Sequence, residues 1–168
     1  QLVETVSDVE KLTIPSHLPI AYVTQTTLSV DETKEIVDAL KVKFPEIQQP
    51  KKQDICYATQ NRQDAVKFMA PQVDLVIVVG SPNSSNSNRL RELSEKLGVI
   101  SYMIDHPDQL KPEWFINKKR VGLTAGASAP ESLAQSIIDR IKELGPRTVR
   151  NLDGIVENTA FPLPKGLN

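Results

Sequence analysis

The stretch from Asp74 to Leu93 constrains the fold of this chain more than any other. It opens with a continuous apolar run, Leu75 to Val79, which is rich in β-branched residues and is followed by Gly80. Such a run is typical of a strand that is buried on both faces. After a polar segment, leucines recur at positions 90, 93 and 97, which is the spacing of one helix face. The stretch therefore predicts a strand, a loop and a helix in a parallel α/β sheet.

The loop between this strand and this helix is densely polar, with six consecutive Ser or Asn residues at positions 83–88. In a parallel α/β sheet such a loop lies at the carboxyl end of the strand, where ligands bind. The free N–H groups and partial positive charge of a helix start suit an anion, and short hydroxyls and amides add donors. The loop therefore predicts a cradle for a phosphate-like group. The alternative is a polar turn with a good N-cap, although a cap needs only one such residue.

The remainder of the chain alternates strands with helices, which predicts the α/β class with a parallel sheet. Strands are predicted at 20–23, 99–104 and 120–125. Capping boxes, each with Glu three residues later, predict helix starts at Ser7, Ser29 and Ser128; Pro130 then falls in the first turn of the last helix. We expect residues 54–146 to form one unit of about three to four strands. Residues 1–53 are expected to hold the second half of another unit and a linker at 45–53, and residues 147–168 to form a tail.

Charge and composition exclude several classes of function. The 168 residues carry a net charge of −1, which gives no electrostatic case for binding nucleic acid or an anionic membrane. No apolar run approaches the roughly 20 residues that a membrane helix needs, and we expect no signal peptide. The single Cys excludes an internal disulfide framework, so a reducing cytoplasm is the expected compartment.

Four polar segments without Lys or Arg stand at predicted strand ends or helix starts, at 24–27, 56–59, 81–88 and 124–128. In parallel α/β architecture they share one edge of the sheet. Cys56 is the only sulfur nucleophile or soft ligand on this edge. It is either a buried small apolar residue, a nucleophile with no His close in sequence, a redox thiol without a partner, or one ligand of a metal or iron–sulfur site. The two His, His17 and His106, are expected to be solvated.

Four motifs in one order carry a resemblance to a known family: TQTTLSVD (24–31), DICYATQNRQ (54–63), VVGSPNSSNSNRL (78–90) and GLTAGASAP (122–130). Together they resemble the C-terminal half of the 4-hydroxy-3-methylbut-2-enyl diphosphate reductase (LytB) family, over about residues 1–145. The resemblance implies a trefoil of three α/β units, each with a parallel four-stranded sheet. This chain is expected to hold the end of the second unit and all of the third.

The resemblance also implies a chemistry. The family reduces hydroxymethylbutenyl diphosphate to isopentenyl and dimethylallyl diphosphate, in the methylerythritol phosphate route to isoprenoids, with a 4Fe–4S cluster bound by three Cys. By resemblance, Cys56 is a cluster ligand and Thr26 is a catalytic residue near the substrate hydroxyl. The substrate diphosphate is then held by Ser84, Ser85, Asn86 and Ser128. The implied partners are this substrate, an electron donor such as ferredoxin or flavodoxin, and the missing N-terminal portion, and the implied location is the bacterial cytoplasm.

The chain lacks several residues that bind the cluster and the substrate in the family. Two of the three cluster Cys, three diphosphate-binding His and the acidic proton donor have no counterpart here, because the chain contains one Cys and two unrelated His. We therefore expect a fragment that is inactive by itself. A non-catalytic module that binds a phosphorylated small molecule through the same edge remains the alternative.

Overall fold

The computed structural model describes residues 1–15, 17–51, 54–145 and 148–152. In chain order the helices and strands are α1 (Val6–Lys11), α2 (Val30–Lys43), α3 (Tyr57–Met69), β1 (Leu75–Val79), α4 (Ser85–Lys96), β2 (Ser101–Ile104), β3 (Val121–Ala125) and α5 (Glu131–Glu143). Short 3-10 helices span Ala70–Gln72, Pro107–Gln109 and Pro112–Phe115. No helix in these ranges is long and apolar enough to cross a membrane. The predicted tail at 147–168 lies almost entirely outside the described residues.

The three strands form one parallel sheet in the order β2-β1-β3. The central strand β1 is buried along its whole length, as its continuous apolar run predicts. The α/β class and the parallel sheet are thus confirmed, but the described part of residues 54–146 contains three strands and not the four that the resemblance implies. The segment at 54–56 leads directly into α3 and adds no strand.

Helices cover both faces of this sheet. Alternate residues of a strand point to opposite faces, so Leu75, Ile77 and Val79 pack with Ile137 and Ile141 of α5 in one apolar cluster. The intervening residues of β1 pack with α3 and α4 in a second cluster formed by Val66, Met69, Val76, Val78 and Leu90. The sheet therefore has the two-sided cover that an all-parallel sheet needs.

The region before residue 54 builds a third apolar cluster, in which Val9, Leu40 and Ile47 are buried. The predicted strand at 20–23 forms only an isolated parallel bridge between Ala21 and Gln48. The described part of the predicted linker at 45–53 contributes to this cluster, because Ile47 packs in it and Gln48 supplies the bridge.

Two of the three predicted capping boxes are wrong. The first helix begins two residues earlier than expected, with a reciprocal box between Thr5 and Asp8, which leaves Ser7 inside the helix. The last helix has Pro130 as its N-cap, without a side-chain cap bond, since Pro130 is in an extended conformation and the helix starts only at Glu131. Ser29 does cap α2 by accepting a hydrogen bond from the Glu32 N–H at 3.4 Å, which is the N-cap half of the predicted box.

Candidate functional site

Hydrogen bonds join three of the four predicted polar segments. The hydroxyl of Thr27 donates a hydrogen bond to the Ser85 hydroxyl at 2.9 Å, which joins the 24–31 motif to the loop after β1. The backbone N–H of Cys56 donates to the carbonyl of Thr26 at 3.0 Å. Consecutive residues, Thr26 and Thr27, therefore touch the predicted metal ligand on one side and the predicted diphosphate loop on the other.

Part of the Ser/Asn-rich loop has a structural role. Ser84 is the N-cap of α4, and its hydroxyl oxygen accepts hydrogen bonds from the N–H and the hydroxyl of Ser87, at 3.3 and 3.0 Å. The side-chain amide of Asn88 donates to the carbonyls of Pro82 and Ser84, at 2.7 and 3.0 Å. The capped-turn alternative thus describes Ser84, Ser87 and Asn88. It does not account for Ser85 and Asn86, which lie in the same first turn of α4.

The amide of Asn86 has no hydrogen-bond partner among the residues that the structure describes. The residue is only 6% exposed, and within that part of the chain neither the oxygen nor the nitrogen of its side chain is paired. A buried polar group without a partner costs about 1–3 kcal/mol, so such a group calls for an explanation. Ser85, one residue earlier, is exposed. A ligand that reaches this helix end would find both a donor amide and a donor hydroxyl.

Two glycines that were not among the predicted site residues lie directly beneath this loop. Gly80 and Gly126 follow the paired ends of β1 and β3, and the Gly126 N–H donates to the Val79 carbonyl at 2.8 Å. A Cβ at either glycine would collide with the hydroxyl of the buried Ser87. The signal in the sequence was a Gly directly after each strand. The absence of side chains there lets the first turn of α4 approach the sheet edge closely.

Ser128 lies in the exposed turn between β3 and α5. The turn starts at Gly126, whose carbonyl accepts from the Ala129 N–H at 3.0 Å. No side-chain hydrogen bond joins Ser128 to the other candidate residues within the described ranges. Its place on the same edge follows from the pairing of β3 with β1.

Cys56 is an exposed, free thiol at the N-cap of α3, so the alternative of a buried apolar residue is wrong. Across the described ranges, no three His, Cys, Asp or Glu residues lie together in a group that could hold a metal ion. A metal site that included Cys56 would therefore need further ligands from outside these ranges.

Two further residues hold the 24–31 segment in place and were missed in the sequence. The carboxylate of Asp54 accepts from the N–H and the hydroxyl of Thr24, at 2.7 and 3.4 Å. The buried Gln63 accepts from the Val30 N–H at 3.1 Å and donates to the Leu28 carbonyl at 2.9 Å. The signal for Gln63 was a polar residue on the apolar face of α3, three positions before Val66.

The fold and these loops define a parallel α/β protein in which polar loops and helix N-termini surround one site. The site is rich in hydroxyl groups and contains the Asn86 amide, which has no hydrogen-bond partner among the described residues. The chain belongs to the LytB protein family, whose sequence model matches residues 1–142. It is 72% identical over 166 residues to the 4-hydroxy-3-methylbut-2-enyl diphosphate reductase of Ralstonia nicotianae, a match that covers 99% of this chain and 51% of that protein. A second relative, reductase 2 of Burkholderia mallei, is 66% identical over 167 residues, with 99% and 51% covered.

A solved structure agrees with these sequence matches. The diphosphate reductase of Plasmodium falciparum superposes with a TM-score of 0.89 at 39% identity, over 98% of this chain and 52% of that one. The chain thus spans about half the length of the relatives it matches.

Proposed function

We propose that this chain is the C-terminal portion of an iron–sulfur reductase. The complete protein converts hydroxymethylbutenyl diphosphate to isopentenyl and dimethylallyl diphosphate in the non-mevalonate isoprenoid pathway. The observation that carries this proposal is the meeting of three loops at Thr26 and Thr27, where hydrogen bonds reach both Cys56 and Ser85. The high identity to reductases supports the same activity.

The diphosphate group would lie against the first turn of α4. Hydroxyls of Ser84 and Ser85 and the amide of Asn86 would donate to its oxygens, with Ser128 approaching from the turn after β3. Backbone N–H groups and the helix dipole add to this binding without a cationic side chain. The amide of Asn86, which has no hydrogen-bond partner among the described residues, would gain one from such an anion, and a cost of the free site would then become binding energy.

Thr26 would act near the substrate hydroxyl, as part of proton delivery. The reaction replaces a C–O bond with a C–H bond, uses two electrons and two protons, and releases the hydroxyl as water. A 4Fe–4S cluster, bound in part by Cys56, would supply the electrons after reduction by ferredoxin or flavodoxin. Because Cys56 is one thiolate, the other ligands must come from the remainder of the complete protein, and the 168 residues alone should be inactive.

The proposal is tested by the iron and acid-labile sulfide content of the complete protein, purified without oxygen, and by its titration with hydroxymethylbutenyl diphosphate. We expect iron, sulfide and substrate binding in the wild type and loss of iron in Cys56→Ser. The matched control is Ser136→Ala, which removes one oxygen from the exposed Ser136 of α5 and should keep the iron.

A complete protein that binds the diphosphate but no iron would support the alternative, a non-catalytic module. A protein that binds neither iron nor diphosphate would refute both functions.

A further inference from the structure

We infer that Gln63 and Asp54 are positioning residues, which hold the segment Thr24–Leu28 at a fixed place beside Cys56. The inference rests on the proposed function for the roles of Thr26 and Cys56. It concerns the part of the site that has no regular secondary structure of its own, because the residues between Val23 and Val30 form neither helix nor strand.

Gln63 anchors the end of this segment. The residue is 2% exposed. Its side chain accepts a hydrogen bond from the Val30 N–H at 3.1 Å and donates one to the Leu28 carbonyl at 2.9 Å. A side-chain amide can accept through its oxygen and donate through its nitrogen at the same time. Val30 is the first residue of α2, so Gln63 also satisfies a helix N–H that has no partner within the helix.

Asp54 anchors the start of the same segment. Its carboxylate accepts from the N–H and the hydroxyl of Thr24, at 2.7 and 3.4 Å. Between the two anchors, the Thr26 carbonyl accepts from the Cys56 N–H at 3.0 Å. Asp54, Cys56 and Gln63 all belong to one continuous stretch, at the start and within the first two turns of α3.

The arrangement fixes the distance between a proton-delivering residue and a cluster ligand. The Thr26 side chain is exposed, so its position depends on the backbone that the two anchors hold. A small misplacement of a reacting group lowers the rate of the chemical step far more than it weakens binding of a remote part of the substrate. The anchors should therefore control turnover more than substrate affinity.

The first test measures amide hydrogen exchange at Cys56 in the 168-residue chain, which needs neither cluster nor substrate. We compare Gln63→Met, which keeps the length but loses both bonds, with Asp54→Ala at the other anchor. The matched control is Val66→Ala, which makes a cavity in the same helix without touching the segment. The denaturant concentration is adjusted for each variant so that all three have the same free energy of unfolding. Under these conditions we expect the Cys56 N–H to exchange faster in both anchor variants than in the control.

The second test measures kcat and KM of the same variants in the complete protein. We expect kcat to fall about tenfold while KM changes less than about twofold, and we expect no such separation in Val66→Ala. Unchanged exchange at Cys56 in the anchor variants, or a kcat loss no greater than that of the control, would overturn the inference. A wild-type protein without reductase activity would refute the proposed function, and the exchange result would still decide whether the anchors hold the segment.

Discussion

At the scale of single residues, the chain keeps the side chain of Asn86 in a costly environment. Its amide is buried and has no partner among the described residues, whereas the Asn88 amide, two residues later, holds the loop through two carbonyls. The same residue type thus has opposite energetic roles within one turn of helix. Unpaired buried groups of this kind are typical of sites where function opposes stability.

The contrast gives a paired prediction. Asn86→Leu should raise the free energy of unfolding of the chain by about 1–2 kcal/mol, because an apolar side chain replaces an unpaired amide. In the complete protein it should weaken diphosphate binding about ten- to a hundredfold, the equivalent of one lost charge-assisted hydrogen bond. Urea midpoints and substrate titrations measure the two effects. Asn88→Leu is the control and should lower the urea midpoint; a similar loss of stability in Asn86→Leu would contradict this view.

Asp74 gives a prediction about pH. Backbone N–H groups of Arg120 and Lys119 donate to its carboxylate, at 2.9 and 2.8 Å, and these bonds hold its pKa below the usual range. The stabilisation is therefore present above the unfolded-state pKa, near pH 4, and is lost as the pH falls through the lower folded-state pKa.

We expect Asp74→Ala to lower the urea midpoint at neutral pH and to remove this part of the acid dependence. Asp74→Asn keeps an acceptor oxygen but does not titrate, so it should lose the acid dependence with a smaller change at neutral pH. Urea melts at a series of pH values from neutral to acid measure both. If the urea midpoint of Asp74→Asn falls with decreasing pH as steeply as that of the wild type, the Asp74 hydrogen bonds do not contribute to the acid dependence of stability.

At the scale of elements, the site depends on how closely α4 approaches the sheet. Gly80 and Gly126 end neighbouring strands, and Ser87 in the first turn of α4 occupies the space above both. A Cβ at Gly80 would lie 2.6 Å from the Cβ of Ser87, whereas a Cβ at Gly126 would lie 3.6 Å from it and would collide only with the hydroxyl. Removal of the Ser87 hydroxyl should therefore relieve the collision of a side chain at Gly126 but not the collision at Gly80.

Each glycine substitution alone should destabilise the chain by about 1–3 kcal/mol through overpacking. Adding Ser87→Ala should rescue much of the loss in Gly126→Ala, because it removes the colliding hydroxyl. It should not rescue Gly80→Ala, where the Cβ collision remains. Double-mutant cycles on urea midpoints measure both couplings; equal rescue of the two glycines would contradict the packing described here.

The strongest elements could be predicted from the sequence, because their signals are local. The apolar run lies within β1, and Leu90 and Leu93 lie within α4, so the structure confirms this strand and this helix. Leu97, the third leucine of the pattern, is the C-cap of α4 and is exposed. Capping boxes are shorter signals, and two adjacent patterns compete at α1, where Thr5 and not Ser7 begins the helix. The anchors at Asp54 and Gln63 join residues 30 or more positions apart, so no local pattern reveals them.

At the scale of the whole molecule, the two parts of the chain are joined by polar contacts next to the candidate site. Lys67 of α3 pairs with Asp31 of α2 at 2.9 Å, and Glu32 pairs with Lys96 of α4. The residues before α1, the segment at 18–25 and one face of α2 line an open cleft of about 800 Å³, which also reaches Arg89 of α4. Near it, Leu2 and Val23 are 83% and 86% exposed, which is high for apolar side chains. We propose that, in the complete protein, further residues of the second unit cover this surface.

Formation of isopentenyl and dimethylallyl diphosphate from hydroxymethylbutenyl diphosphate is the most direct measurement of the central claim. The complete protein, its Cys56→Ser variant and the 168-residue chain are supplied with the same reduced ferredoxin, and both products are quantified. We predict turnover by the complete wild-type protein and only background formation by the other two. Turnover by Cys56→Ser at the wild-type rate, or by the 168-residue chain alone, would contradict the claim that Cys56 supplies one ligand of a cluster completed elsewhere in the protein.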